Sequence, residues 1–589
     1  MTFPTATVVE SLAELATSAP TENGFTFISD RGRSESFMSF ETLMREVAQR
    51  AGSLESAGLQ RGDHVALVIP ERRDFVLTFL AALWAGVVPV PLPPPIGLDQ
   101  LSSYLERSRY IIDASDARML ITTPQIKAVS GTLLRKSLRS VLAVDELARD
   151  PARPIDLNVP SLNATAFIQF TSGSTSRPRG VVLTHQNLAV NCHYLARAGM
   201  GMTPDDVVCS WLPFFHDFGL IGMVLAPLFT GSSAVYLPPL LFLKRPIEWL
   251  RAISRHAGTV SFAPNFGYGL CAKRIRDSDL RGIDLSSWRY AGCGAEPVRV
   301  STLKAFADRF ERVGFNRAAL TPGYGLAEST LAVSFDDEGK GPRYDSLDPD
   351  KLHRHGRADI TSSEGAVEVV CCGAPFEGHE VRVVDQNGSS LADRLVGEIV
   401  LRGPSVASGN YRNPQATNAT IKNGWLHTGD LGYLVENQIY ITGRLKEIII
   451  VAGRNYFPTD IEYAVSQLPD IRTGNVVAFG ICKPDQTEGL VICAETALPL
   501  PEREGLEDKI RARVMEVVGL VVDDIALLEA GILPKTSSGK LQRCGVKAAY
   551  LKDELSRRSA RDSKLTTFRH VSLSQLQLLW SRVTTVDGG

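Results

Sequence analysis

Short apolar runs and longer stretches of helical spacing alternate over most of the first 440 residues. Asp63 to Pro70 predicts a buried strand, Arg73 to Ala85 the helix after it, and Val87 to Pro91 the next strand. Strands that alternate with helices pack as α/β layers around largely parallel sheets. From Glu380 the texture changes. Val381 to Val384, Gly397 to Arg402 and Gln438 to Thr442 are short strands separated by Gly and Asn turns, which predicts an appended antiparallel barrel or sheet. Beyond Gly443-Arg444-Leu445-Lys446-Glu447, a smaller α+β unit is expected, with a helix over Thr459 to Gln467 and a strand region over Thr473 to Cys482. Leu573, Leu576 and Trp580 share helical spacing and predict one more docked helix after the charged stretch Lys552 to Lys564.

The pattern therefore gives an α/β fold class. A large N-terminal domain of layered α/β subdomains with a small β-barrel-like subdomain (1–443) is followed across a boundary at 444–446 by a smaller α+β domain (447–589). A chain of 589 residues exceeds what one core serves, in line with this division. One piece departs from the pattern: Asp336 to Glu364 is rich in Asp, Gly, Arg and His, lacks a period, and is long for a plain loop. His353-x-His355 within it reads as a solvated pair rather than a metal site.

Composition narrows the function classes. The formal net charge of −2 leaves no basic field to hold a nucleic acid or an anionic membrane by bulk electrostatics. Nine scattered cysteines, none in a C-x-x-C pattern, point to reduced thiols in a cytoplasmic protein. The uncharged stretches Phe75 to Leu98 and Phe218 to Leu243 are broken by Pro and Gly and read as core, so no membrane span is expected. The N-terminus lacks the charged-then-apolar pattern of a signal peptide.

The candidate chemistry lies in two polar loops. Phe167 to Phe170 and Val181 to Leu183 read as strands on either side of Thr171-Ser172-Gly173-Ser174-Thr175-Ser176-Arg177-Pro178-Arg179-Gly180. Hydroxyls of Thr171, Ser172, Ser174, Thr175 and Ser176, backbone N–H groups freed by Gly173 and Gly180, and the charge of Arg177 and Arg179 suit a phosphate. The apolar flanks disfavour a flexible linker, and the spacing is not that of a P-loop. Some 350 residues on, Pro534-Lys535-Thr536-Ser537-Ser538-Gly539-Lys540 sets a second lysine in a Gly/Ser loop. Two cationic loops far apart in sequence can close over one phosphorylated substrate.

Read with their companions, these loops resemble the signatures of the acyl-adenylate-forming enzymes, which comprise acyl-CoA synthetases, nonribosomal adenylation domains and luciferases. Ala291-Gly292-Cys293-Gly294-Ala295-Glu296-Pro297, Tyr324-Gly325-Leu326-Ala327-Glu328, Trp425-Leu426-His427-Thr428-Gly429-Asp430 and Gly443-Arg444-x-Lys446 match further motifs in order, over roughly residues 10 to 550. Trp211 to Gly222, with its His216-Asp217 pair, Pro264 to Tyr268, and Ile450 to Pro458 resemble the fatty acyl-AMP ligases in particular. The resemblance implies that the boundary at 444–446 is a hinge and the smaller domain (447–589) a mobile lid. The Asp336–Glu364 segment falls where those ligases carry an insertion thought to keep the lid from the pose that accepts coenzyme A. Ser176 and Arg179 depart from the usual Gly and Lys.

The resemblance implies an enzyme that activates a fatty acid with ATP and magnesium and passes the acyl group to a separate acyl carrier protein or synthetase carrier domain. Fatty acyl-CoA ligation and a catalytically silent nucleotide sensor are the alternatives. It implies Lys540 as the transition-state cation, Glu328 as the metal ligand, and Gly292, Gly294, Ala295, Tyr324 and Gly325 around the nucleotide. Asp430 would take the ribose, Arg444 the ribose or phosphate, and Lys446 the hinge. His216 either positions the substrate or is a satisfied core histidine. Phe214, Phe215, Met223, Phe266 and Tyr268 are the candidates for an acyl tunnel.

Overall fold

The computed structural model describes residues 6–29, 32, 34–95, 101–134, 137–149, 153–171, 178–336, 339–451, 454–482, 488–499, 502–536 and 540–555. Leu573, Leu576 and Trp580 lie outside the described residues. The strand–helix alternation builds two sheets with parallel interiors. The larger has eight strands, ordered Ala332–Phe335, Leu320–Gly325, Tyr290–Cys293, Val260–Ala263, Val207–Ser210, Ser233–Tyr236, Gly24–Ile28 and Glu35–Ser39. Its inner pairs are parallel and its two outermost pairs antiparallel.

The second sheet, Val88–Pro91, His64–Val68, Ala117–Thr122 and Ser140–Ala143, is parallel throughout. Such a sheet must be covered on both faces. Successive side chains of one strand accordingly enter different cores: Val65 and Leu67 join the main cluster, Ala66 and Val68 a second one. The helix Arg72–Trp84 is buried from Phe75 to Trp84, which accounts for its apolar character on every side. Among the described residues, no helix is long and apolar enough to cross a membrane.

The appended antiparallel unit is a five-stranded sheet built on Glu380–Val384, Gly397–Arg402 and Trp425–Val435, with Ile421–Lys422 and Gln438–Arg444 completing it. Ile399, Leu401, Leu426 and Ile439 share a core with Tyr324 and Val333 of the large sheet. That shared core sets the antiparallel sheet against the edge of the parallel one.

The C-terminal unit is a three-stranded sheet, Ile471–Cys482, Glu488–Thr496 and Asp524–Leu528. Alternation divides its faces. Val476 and Ala478 pack with residues of the helices Pro458–Ser466 and Leu506–Val518, while Val477 and Phe479 pack with Val546 and Ala549 of Arg543–Leu551.

The described part of the segment read as an aperiodic piece carries regular structure. Tyr344–Leu347 pairs antiparallel with Val367–Val370, and Asp348 caps the helix Pro349–His355 by accepting from the N–H groups of Asp350 (2.9 Å) and Lys351 (3.1 Å). Leu347 and Leu352 share a core with Tyr433, Tyr440 and Phe457. The expectation of a solvated His353-x-His355 pair is corrected for one member. His353 is buried, its ring 5.2 Å from that of Tyr456 and 6.0 Å from that of Phe457, and burial holds its imidazole below the ordinary histidine range. His355, on the outer side of the same helix, is exposed.

Candidate active site

A cleft of about 2690 Å³ runs between the large parallel sheet, the antiparallel sheet and the C-terminal unit. Three of its walls are polar and one arm is apolar.

The first wall starts at a hairpin. Thr165–Thr171 pairs antiparallel with Arg179–Thr184, and the pair Thr171 and Arg179 closes its described part. Both residues line the cleft. Ser172, Gly173, Ser174, Thr175 and Ser176, predicted to bind phosphate, lie outside the described residues.

The second wall is the end of three parallel strands. Gly292 stands where a Cβ would fall 2.3 Å from the Phe262 ring, so only glycine lets these strands approach. Gly294 and Ala295 continue it, and Ala295 has φ of 65°, a left-handed conformation that costs a non-glycine residue of order 1–3 kcal/mol. The turn so formed aims Glu296 back at the helix Asn265–Arg274, where its carboxylate accepts from the Phe266 N–H at 2.6 Å. Gly325 lines the cleft beside Tyr324.

The third wall joins two sheets through one carboxylate. Asp430, 4% exposed, accepts from Tyr324 Oη (2.8 Å) and forms an ion pair with Nε of Arg444 (2.8 Å), its partner across the pair of strands. A carboxylate has about four acceptor sites, so acceptor capacity remains for a ligand's hydroxyls. Glu328 occupies the tight turn Ala327–Ser329, followed by Thr330 at φ 68°. Burial raises the Glu328 carboxyl, and Asp217 and Asp430 push it further against the pull of Arg444.

His216 and Asp217 stand at the start of the helix Asp217–Leu220, with Nδ1 of His216 2.5 Å from the Asp217 carboxylate. Burial raises the Asp217 carboxyl, yet His216, Lys540 and the Phe218 N–H together hold it below the ordinary range. Gln169 steadies the turn by donating to the Phe215 carbonyl at 3.0 Å. The structure therefore places His216 at the cleft, against the Asp217 carboxylate, rather than in the core.

Lys540 reaches this place from the C-terminal unit. Burial lowers its ammonium, and Asp217, Glu296 and Asp430 oppose that shift. The three carboxylates come from three elements of the large domain, so the lysine sits inside its cleft. Its loop is braced by the Lys540 N–H donating to Thr536 Oγ1 at 3.0 Å and by Thr536 N–H donating back to the Lys540 carbonyl at 2.6 Å. Lys446 lies exposed on the turn Leu445–Glu447 and lines the same cleft.

The apolar arm is lined by Phe214, Phe215, Phe218, Leu240 and Phe266. Two tunnel candidates do not belong to it. Met223 and Tyr268 are fully buried in the core, and Tyr268 donates to the Gly292 carbonyl at 2.9 Å, supporting the second wall from behind. Asp217 and Glu296 are the acids absent from the predicted set. The signal for Asp217 was available: with His216 it forms the only charged or titratable spot between Trp211 and Gly222.

Comparison with known proteins agrees with this geometry. The AMP-binding enzyme family matches residues 15–411, and the AMP domain of Disco-interacting protein 2-like proteins matches residues 446–560. The 4-hydroxyphenylalkanoate adenylyltransferase of Mycobacterium marinum is 35% identical, over 93% of this chain and 92% of its own. A medium-chain-fatty-acid acyl-carrier-protein ligase of Moorena producens is 33% identical, over 91% and 94%. A solved structure from work on fatty acyl-adenylate ligases of E. coli and L. pneumophila superposes with a TM-score of 0.87 at 36% identity, covering 93% of this chain and 98% of that one.

Proposed function

The chain belongs to the AMP-binding enzyme family, and from that premise we propose that it activates a fatty acid with ATP and hands the acyl group to the phosphopantetheine thiol of a separate acyl carrier protein. The observation that carries this reading is the position of Lys540, which lines the same cleft as Asp217, Glu296 and Asp430 and lies within their electrostatic reach. The names of relatives, a medium-chain-fatty-acid acyl-carrier-protein ligase among them, support the acid and the acceptor.

A carboxylate must gain a leaving group before its acyl carbon can be attacked by a thiol. In the proposed first step a fatty acid lies in the apolar arm with its carboxylate toward Lys540. One carboxylate oxygen attacks the α-phosphorus of ATP, the bond to the bridging oxygen breaks, and pyrophosphate leaves with that electron pair. Catalysis of such a displacement rests on positioning and charge neutralisation. Asp430, steadied by Tyr324 and Arg444, is assigned to the ribose hydroxyls, Thr171 and Arg179 to the phosphates, and Lys540 to the charge that builds between carboxylate and α-phosphate. The carboxylates near Lys540 oppose the loss of charge that its burial favours. In the second step the carrier thiol attacks the acyl carbon, the thioester forms, and AMP leaves.

Magnesium fits Glu328. The carboxyl is pushed up by burial and two neighbouring acids, and a cation beside it would relieve that excess. Among the described residues no group of three or more His, Cys, Asp or Glu forms a cage, which suits an ion held by one carboxylate, phosphate oxygens and water. Bound there, it would neutralise phosphate charge.

The test is direct. Purified protein with ATP, magnesium and decanoate should give decanoyl-AMP and pyrophosphate by mass spectrometry; no adduct with any C8 to C16 acid would overturn the reading. Adding coenzyme A should leave acyl-AMP as the product. Rapid acyl-CoA formation would instead assign the chain to the coenzyme A ligases.

A further inference from the structure

The catalytic lysine belongs to the C-terminal unit, while its carboxylate neighbours belong to the large domain, so something must fix the one against the other. A continuous line of polar contacts does so. Arg299 lies three residues past Glu296, at the N-terminal end of the helix Val300–Phe310, and its N–H donates to Asn265 Oδ1 at 3.0 Å. Its guanidinium crosses to the helix Pro458–Ser466, donating to the Asp460 carboxylate at 2.9 Å and to the Thr459 carbonyl at 2.7 Å. It also lies 5.1 Å from the centre of the Tyr463 ring, whose hydroxyl meets Ser301 Oγ at 2.6 Å.

The same helix carries the contact onward. Glu462, two residues after Asp460, points elsewhere and binds Arg543 through two bonds, 2.6 Å from Nε and 2.7 Å from Nη2. Arg543 also pairs with Glu447 beside the domain boundary. It is the first residue of the helix Arg543–Leu551 and stands three positions after Lys540. Bidentate arginine–carboxylate pairs fix orientation as well as distance.

We infer that Arg299 is a positioning residue for Lys540, acting through the helix Pro458–Ser466 and the Glu462–Arg543 pair. No contact with nucleotide or acid is assigned to it in the proposed reaction, although it lines the cleft. Its work is to hold the C-terminal unit in the pose that brings Lys540 into the cleft with Asp217 and Glu296. The inference rests on the assignment of Lys540 to adenylation, and its test separates the two.

Single-turnover formation of decanoyl-AMP should be measured for Arg299→Ala, Lys540→Ala and the double variant of the full chain. Arg299→Ala is expected to slow the step about 30-fold, the effect of truncating one partner of a well-made charged pair, with the KM for ATP unchanged. In the Lys540→Ala background the same substitution should have no further effect, because nothing is left to position. Arg299→Asp combined with Asp460→Arg should recover part of the loss. Asp460→Asn, which leaves the Arg299 turn intact, should reproduce the slowing.

A multiplicative effect in the double variant would overturn the inference, as would wild-type rates in Arg299→Ala and Asp460→Asn. Wild-type rates in Lys540→Ala alone would instead remove the assignment of that lysine.

Discussion

Two of the places where the C-terminal unit meets the body are of opposite character. At one, Arg299 grips Asp460 and Thr459 through directional bonds between groups about one-fifth exposed. At the other, Leu347 and Leu352 of the inserted segment pack in one core with Phe457, and the His353 ring lies against Tyr456. Hydrogen bonds to charged groups contribute about 1.5–3 kcal/mol each and exist only in one geometry. Burying side chains of this size contributes a similar amount apiece, without direction. The polar contact therefore selects a pose, whereas the apolar one tolerates small rotations and resists separation. In the proposed reaction, a unit that first presents Lys540 and later admits a thiol would use both.

Substitutions can break this contrast, and the largest effect should come from the group that the polar contact serves. Lys540→Ala is expected to slow acyl-AMP formation by about 100-fold or more, as when a preorganised electrostatic group is lost. Near-normal single-turnover rates would leave the polar contact with nothing to orient. Loosening the apolar side should act on the acceptor instead. Leu352→Ala, at a position 3% exposed, should cost about 2–5 kcal/mol of local packing. It should raise acyl-CoA yield several-fold, with acyl-AMP formation unchanged; a fall in acyl-AMP would show that the apolar contact also sets the lysine's pose.

Two pH effects sharpen the comparison further. Lys540 has its ammonium below the ordinary lysine value of 10.5, so adenylation should decline as pH rises through that lowered value, earlier than an unperturbed lysine dictates. A rate flat to pH 10.5 would contradict its burial. His353 gives the smaller and opposite dependence. Its folded value lies below the ordinary 6.5, so the neutral ring's contribution is complete above pH 6.5 and is lost as pH falls below it. Mild acid should therefore increase proteolytic cutting near the inserted segment, and His353→Phe should abolish that increase.

Much of the framework was readable from the chain because it depends on local rules. The strand Gly397–Arg402 and the helix Pro458–Ser466 lie where the sequence pattern put them, to within a residue. His353 could not be read correctly. Its helix has seven residues, too few to display a period, and the aromatic rings that bury it come from about a hundred positions later. Met223 and Tyr268 show the reverse error. An apolar residue near a cleft motif has two faces to choose from, and only packing reveals that theirs is the core. Glu296 was visible within its motif, but its contact with the Phe266 N–H depends on a backbone turn that no residue count announces.

Arg444 sets a limit on how the two halves can turn. It is the last residue of its strand, paired with Asp430 in register and by a 2.8 Å ion pair. In the proposed reaction, a pivot in the connecting turn would begin beyond it, at Leu445, with the axle bolted to the carboxylate assigned to the ribose. A swing of the C-terminal unit would then leave the nucleotide's sugar seat unmoved, so that AMP could stay in register while the partner thiol takes the place vacated by the lysine.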